Sequence, residues 1–176
     1  MSSFEKVIGY RSIKRELLQI CDMIRNRAIY EEMGARLPHG LLLYGDPGLG
    51  KSLLAKCFIE ESGLNTVTVR RDKGGDAFID SIKQAFTRAK EEAPAIVFLD
   101  DMDKFANEDC SHSDAPEYVA VQAGIDDVKE TDVFVIATAN EICRLPDSLR
   151  RSGRFDRKIG LQAPTAVDAE AIIAHY

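Results

Sequence analysis

Apolar positions along the chain recur in two rhythms, one of three and four residues and one of short unbroken runs. Ile13, Leu17, Ile20, Ile24 and Ala28 fall three and four apart, which predicts an amphipathic helix over 11–33, ended by Gly34 with Pro38 beyond it. Leu41-Leu42-Leu43-Tyr44, closed by Gly45, predicts a strand buried on both faces. A helical pattern follows from Ser52 to Glu61 and stops at Gly63, and the β-branched run Thr66-Val67-Thr68-Val69 predicts a second strand. Phe78, Ile79, Ile82, Ala85, Phe86 and Ala89 mark another amphipathic helix that stops before Pro94. Ala95-Ile96-Val97-Phe98-Leu99 is a third strand, and after a polar stretch from Asn107 to Pro116 come a helix over 116–124 and a fourth strand at 133–137. A weaker strand at 158–161 and a helix from 165 to the end complete the pattern. Strands that are apolar throughout and alternate with helices belong to a parallel sheet covered on both faces. The prediction is therefore an α/β three-layer domain with five parallel strands, in which ligands sit at the carboxyl ends of the strands.

The polar motifs fall at those ends. Gly45-Asp46-Pro47-Gly48-Leu49-Gly50-Lys51-Ser52 matches GxxxxGK[ST] in full, between a predicted strand and a predicted helix. Its glycines let successive backbone N–H groups turn toward phosphate oxygens, and the helix that follows points its positive end at the same anion. Lys51 adds a charge for the β- and γ-phosphates, and the Ser52 hydroxyl is placed to bind Mg²⁺. The nucleotide-binding set read from this segment is Asp46, Pro47, Gly48, Leu49, Gly50, Lys51, Ser52 and Leu53. The run Ile96 to Leu99 delivers Asp100 to a strand end as a second Mg²⁺ ligand, acting through water, and Asp101 lies beside the path of a water attacking the γ-phosphate. One predicted strand, 66–69, separates the two motifs, an order that suits P-loop ATPases with an added strand and an acidic base next to the Mg²⁺ ligand.

Composition narrows the field without changing this picture. The chain has 176 residues, one domain over 1–176, with 45% apolar and 30% charged residues. Lys+Arg number 23 against 29 Asp+Glu, a net charge of −6, which argues against a dedicated nucleic-acid binder. No segment approaches the ~18 consecutive apolar residues of a membrane helix, and the start carries no secretory pattern, so the expected location is cytoplasmic. Cys21, Cys57, Cys110 and Cys143 form no CxxC pair and read as single buried thiols in a reducing compartment. His39, His112 and His175 form no HExxH pattern, so no metalloprotease is encoded here.

Taken together, the motifs resemble the large nucleotide-binding subdomain of AAA+ ATPases, closest to the group that holds the FtsH-type zinc proteases and the proteasomal and p97-like unfoldases. The resemblance runs from Phe4-Glu5-Lys6-Val7-Ile8-Gly9 to the terminal helix and rests most on Gly34 to Gly45 and on Glu92 to Asp100. It implies that Ile8 and Gly9 contact adenine and that Asn140 orients the attacking water. It also implies that Arg151 and Arg154, within Leu149-Arg150-Arg151-Ser152-Gly153-Arg154-Phe155-Asp156, are arginine fingers offered to a neighbour in a ring, usually a hexamer. The implied function is Mg²⁺-dependent ATP binding and hydrolysis, with ADP as product, driving rearrangement of a protein partner.

Three departures from the family pattern qualify that expectation. Asp101 stands where the family has Glu, which predicts slow hydrolysis. The stretch Arg71-Asp72-Lys73-Gly74-Gly75-Asp76 lacks the aromatic of the usual pore loop, and Phe78 reads as helix core. The chain stops where the family's small helical lid begins, which reads as an excised domain that is monomeric alone. The alternative is a nucleotide-gated binding or scaffold module with little hydrolysis. A DNA-directed clamp loader or helicase is disfavoured by the acidic charge.

Overall fold

The computed structural model describes residues 2–71, 75–106, 116–151 and 153–175. After a 3₁₀ turn at Ser3–Lys6 the elements are α1 (Arg11–Arg25), α2 (Arg27–Glu32), β1 (Gly40–Tyr44), α3 (Lys51–Ser62), β2 (Asn65–Val69), α4 (Asp76–Glu91) and β3 (Ala95–Leu99). Then come α5 (Pro116–Asp127), β4 (Val133–Ala139), α6 (Asp147–Arg150), β5 (Arg157–Gly160) and α7 (Ala166–His175), with short 3₁₀ turns at Met102–Lys104 and Ile142–Arg144. All five strands pair in parallel in the order β2-β3-β4-β1-β5.

Side-chain alternation along each strand divides the core into two layers. Ile96 and Phe98 of β3, Phe134 and Ile136 of β4, and Leu41 and Leu43 of β1 pack with Leu17, Ile20, Leu54 and Phe58 of α1 and α3. Val97, Leu99, Val135, Ala137 and Leu42 face the other way, against Phe78, Ile82, Phe86, Val121 and Ile125 of α4 and α5. β3 and β4 are buried along their whole length, while β2, at one edge, is only partly buried. The parallel three-layer architecture is the one the periodicity predicts.

Several boundaries differ. The helix expected over 11–33 is broken at Asn26, whose backbone leaves the helical region (φ −109°, ψ 32°) and whose side-chain amide donates to Asp22 at 2.8 Å. Such local side-chain bonding competes with helix continuation, and α2 buries no residue that would hold one straight rod. The helix expected at 116–124 continues to Asp127, and β4 runs two residues past the expected 137. That extension draws Thr138 into the sheet opposite Leu43. Cys21 and Cys57 are buried, but Cys143 is exposed, which corrects the expectation of uniformly buried thiols. Cys110, His112, the polar stretch 107–115 and residues 72–74 of the pore-loop segment lie outside the described residues. Phe78 does belong to the core, 1% exposed and edge-on to Phe105.

Candidate active site

β1 ends at Tyr44, and the chain reverses through Gly45 into the loop before α3. Gly45 (φ +139°) passes so close to the neighbouring strand's exit that a Cβ there would lie 2.5 Å from the Leu161 carbonyl oxygen. Gly50 adopts φ +83°, a left-handed conformation open to glycine, and caps α3 with no side chain satisfying the helix's first N–H groups. Those donors and the helix dipole make the loop a ready anion site. Lys51 is 5% exposed, and its ammonium donates to the carbonyls of Gly45 (2.7 Å) and Asp46 (2.8 Å). Burial pulls its pKa down, while Asp101, Asp103, Asp46 and Asp100 push the other way.

The acidic side of the site comes from the exits of β3 and β4, which are adjacent in the sheet. Asp100 is 6% exposed, and its Oδ1 accepts from Ser52 Oγ and from Thr138 Oγ1, both at 2.8 Å. The P-loop helix, β3 and β4 therefore meet on one carboxylate oxygen. A hydroxyl and a carboxylate oxygen, both hard donors already in contact, fit a Mg²⁺ ion that takes few protein ligands and several from phosphate and water. Thr138 also accepts the Asp101 backbone N–H at 2.8 Å. Asp101 sits in the left-handed region (φ 53°), and its carboxylate pairs with the Lys104 ammonium at 2.6 Å. Asp103 is buried, and one of its oxygens accepts from the N–H groups of Asn140 (3.1 Å) and Glu141 (3.4 Å).

Some of these groups line one polar cavity of about 400 Å³. Pro47, Gly48, Gly50, Lys51, Ser52 and Leu53 form one wall, and Asp101, Lys104 and Asn140 the other. A second cavity of about 240 Å³, mostly apolar, shares Gly48, Gly50 and Leu53 with the first and is walled by Ile8, Tyr10, Leu49, Pro164 and Ile172. The apolar slot thus adjoins the polar cavity along the loop before α3. Gly9 lies beside this slot rather than in its wall: at φ +79° a Cβ would stand 3.0 Å from the Asp168 carboxyl of α7. Asp46 likewise lines neither cavity and takes part through its carbonyl. A third cavity, about 220 Å³ between Ile24, Leu37, Pro94 and Phe134, opens at the opposite ends of the strands, away from this chemistry.

The basic segment after α6 separates the two arginines that the sequence pairs. Arg154 is 15% exposed at its side chain and forks onto Asp126 of α5 at 3.0 and 2.7 Å, with a third bond to the Ser148 carbonyl at 2.6 Å. The bond from Arg154 is the main reason the Asp126 carboxyl is pushed down to about 2. Arg151 is exposed and, among the described residues, makes no hydrogen bond or ion pair. Asp156 ties the segment to the start of β1 by accepting the N–H groups of His39 (2.8 Å) and Gly153 (2.6 Å). Ser152 lies outside the described residues.

The expected residues Lys51, Ser52, Asp100, Asp101 and Asn140 are thus brought together, and Ile8, Leu49 and Leu53 line the adjoining slot. Sequence reasoning missed Thr138, Asp103, Lys104 and Tyr10. The Tyr10 hydroxyl lies 2.8 Å from the Gln162 carbonyl and 3.2 Å from that of Leu49, joining the P-loop to the segment after β5. The Asp-Asp-Met-Asp-Lys run contains the signal for Asp103 and Lys104, since a tight turn there folds both back toward the strand end; for Thr138 and Tyr10 no local pattern exists.

The family described as "ATPase family associated with various cellular activities (AAA)" matches residues 41–163, most of the chain. Among curated proteins the chain is similar to the ATP-dependent zinc metalloprotease FtsH of Ureaplasma parvum serovar 3, 31% identical over 97% of this chain and 25% of that protein. The same-named proteins of Mycoplasma pneumoniae (33%, 97% of this chain and 26% of that protein) and Mycoplasmoides gallisepticum (35%, 97% and 24%) are similar too. The chain spans about a quarter of the length of these curated relatives. A match of that extent, on a fold whose strand ends carry the glycine-rich loop and the acidic pair, makes the chain a member of the AAA family of ATPases.

Proposed function

We propose that the chain binds ATP with Mg²⁺ and hydrolyses it to drive rearrangement of a protein partner, working in a ring where each subunit completes its neighbour's site. The observation that carries this reading is the convergence of Ser52 and Thr138 on Asp100, beside a cavity lined by Ser52, Lys51 and Asn140. Adenine enters the apolar slot beside Ile8 and Leu53, and the phosphates run along the P-loop. Their charge draws the Lys51 ammonium off the Gly45 and Asp46 carbonyls onto the β- and γ-phosphates. Ser52 and Asp100 would hold Mg²⁺, which when bound neutralises charge on those phosphates. Asn140 orients a water, and Asp101 receives its proton as the oxygen attacks the γ-phosphorus and ADP leaves.

Arg151, exposed and unpaired among the described residues, is the finger for the neighbouring subunit, supplying charge worth ~10³–10⁵ in rate in related chemistry. Arg154 supports that finger, because its fork on Asp126 holds the segment against α5. Among the described residues no helix is long and apolar enough to cross a membrane, and we place the domain in the cytoplasm.

The second reading, a nucleotide-gated module with little hydrolysis, is favoured by Asp101 itself. Its side chain is one methylene shorter than Glu, a retreat of about 1.5 Å, where a ~1 Å misplacement costs up to ~10²-fold. ATP turnover per chain, measured across a wide range of protein concentration, tests both. A specific rate that climbs with concentration supports ring completion by Arg151; a flat, near-zero rate beside measurable ATP binding favours the switch. Asp101→Glu raises turnover several-fold if the short side chain is what limits it. If Lys51→Ala leaves ATP affinity unchanged, the phosphate site is assigned wrongly.

A further inference from the structure

Lys104 has no part in the reaction described so far, yet its side chain forms part of the phosphate cavity. Its backbone is fixed: its N–H donates to the Asp101 carbonyl at 2.9 Å, and its own carbonyl accepts from Arg71 at 2.7 Å. The side chain is free by comparison, 57% exposed, with Asp101 as its ion-pair partner. Lys104 is therefore an exposed cation on a hydrogen-bonded backbone, paired with the carboxylate assigned as proton acceptor.

The two walls of the cavity decide what can move it. A diphosphate seated on the P-loop lies along the wall formed by Gly48, Gly50, Lys51 and Ser52. A third phosphoryl group extends that chain toward the opposite wall, where Asp101, Lys104 and Asn140 stand. A terminal phosphate carries more charge than one carboxylate and offers three acceptor oxygens, so it competes for the ammonium. ADP has no group at that position and leaves Lys104 on Asp101. We propose that Lys104 is the residue by which this site tells a nucleoside triphosphate from a diphosphate, leaving Asp101 for the terminal phosphate when one is present. The same movement frees Asp101 from its counter-ion at the moment a base is needed. Bound ADP keeps the carboxylate paired and the site idle. This inference rests on the ATP-site reading above.

The test is equilibrium binding of a non-hydrolysable ATP analogue and of ADP, each with Mg²⁺, to the full chain and to Lys104→Met and Lys104→Arg. The substituted side chain is half exposed and its backbone bonds are untouched, so both variants fold. Loss of one charge-assisted phosphate contact predicts about tenfold weaker triphosphate binding in Lys104→Met. ADP affinity stays within about twofold, and Lys104→Arg keeps most of the preference for triphosphate. Equal weakening of both nucleotides, or no change in either, overturns the role of Lys104 while leaving the ATP site standing. A wild-type chain that binds neither nucleotide, or a Lys51→Ala variant that binds both as well as wild type, removes the site and the proposal with it.

Discussion

Thr138 is fully buried, and its hydroxyl joins the two residues to which we assign Mg²⁺ and the attacking water's proton: it donates to Asp100 Oδ1 and accepts the N–H of Asp101, each at 2.8 Å. Thr138→Val keeps the shape and deletes both bonds, so no cavity complicates the result. A hydrogen bond to a charged group contributes about 1.5–3 kcal/mol, and an orphaned buried N–H costs about 1–3 kcal/mol. Asp100 keeps its bond from Ser52, so the combined loss falls near 3 kcal/mol, a melting-point drop of about 10 °C for a chain of this size. That leaves a typical domain folded. Thr138→Ser keeps the hydroxyl and removes one buried methyl, a loss of ~1 kcal/mol. Urea unfolding therefore ranks wild type above Thr138→Ser above Thr138→Val. Turnover at saturating ATP falls most in Thr138→Val, because Asp101 loses the bond that fixes its backbone and a ~1 Å shift costs up to ~10²-fold. A Thr138→Val protein as stable as wild type, or more stable than Thr138→Ser, would refute the claim that this hydroxyl organises the acidic strand end.

The remaining predictions concern the basic segment. Arg154→Ala lowers both stability and turnover, since its fork onto Asp126 is lost, whereas Arg151→Ala lowers turnover with little change in the unfolding midpoint; paired urea and ATPase measurements separate the two, and equal midpoint shifts would contradict the assignment. Asp126, held near 2 by Arg154 against an ordinary 3.8, contributes stability that is fully present above 3.8 and is lost as the pH falls toward 2. Allowing for a side chain that is 38% exposed, that contribution is about 1 kcal/mol at neutral pH. Asp126→Asn should remove it and flatten the acid limb of the stability profile, read as unfolding midpoint against pH between 2 and 6.

The residues legible from sequence were those whose role depends on near neighbours. The loop from Gly45 to Ser52 reads directly because one turn needs glycines, an ammonium and a hydroxyl within eight positions, and a helix must begin there. β3 and β4 read as buried strands because a strand covered on both faces has to be apolar at every position. The break at Asn26 was harder, since the apolar spacing on either side of it continues as if the helix did. Asn26 bonds Asp22 locally, and the short α2 has no buried face to oppose that break.

Other features depend on which distant segments lie side by side. β4, the fourth strand in sequence, inserts between β1 and β3, and only that order sets Thr138 against Asp100 and Asn140 across from Lys51. Arg151 and Arg154 look alike in a basic run, yet Asp126, on α5 and 28 residues before Arg154, claims one and leaves the other exposed. Tyr10 joins the P-loop to Gln162 across 152 residues of chain. Lys104 reads as one more surface lysine until the turn after β3 brings it onto Asp101. Local pattern records what a segment buries and how it turns, because those requirements act within a few residues; partners far apart in the chain leave no such periodic trace. The sequence thus sufficed for the fold class and for the glycine-rich loop before α3, while the arrangement of charges at the strand ends came from sheet order and helix packing.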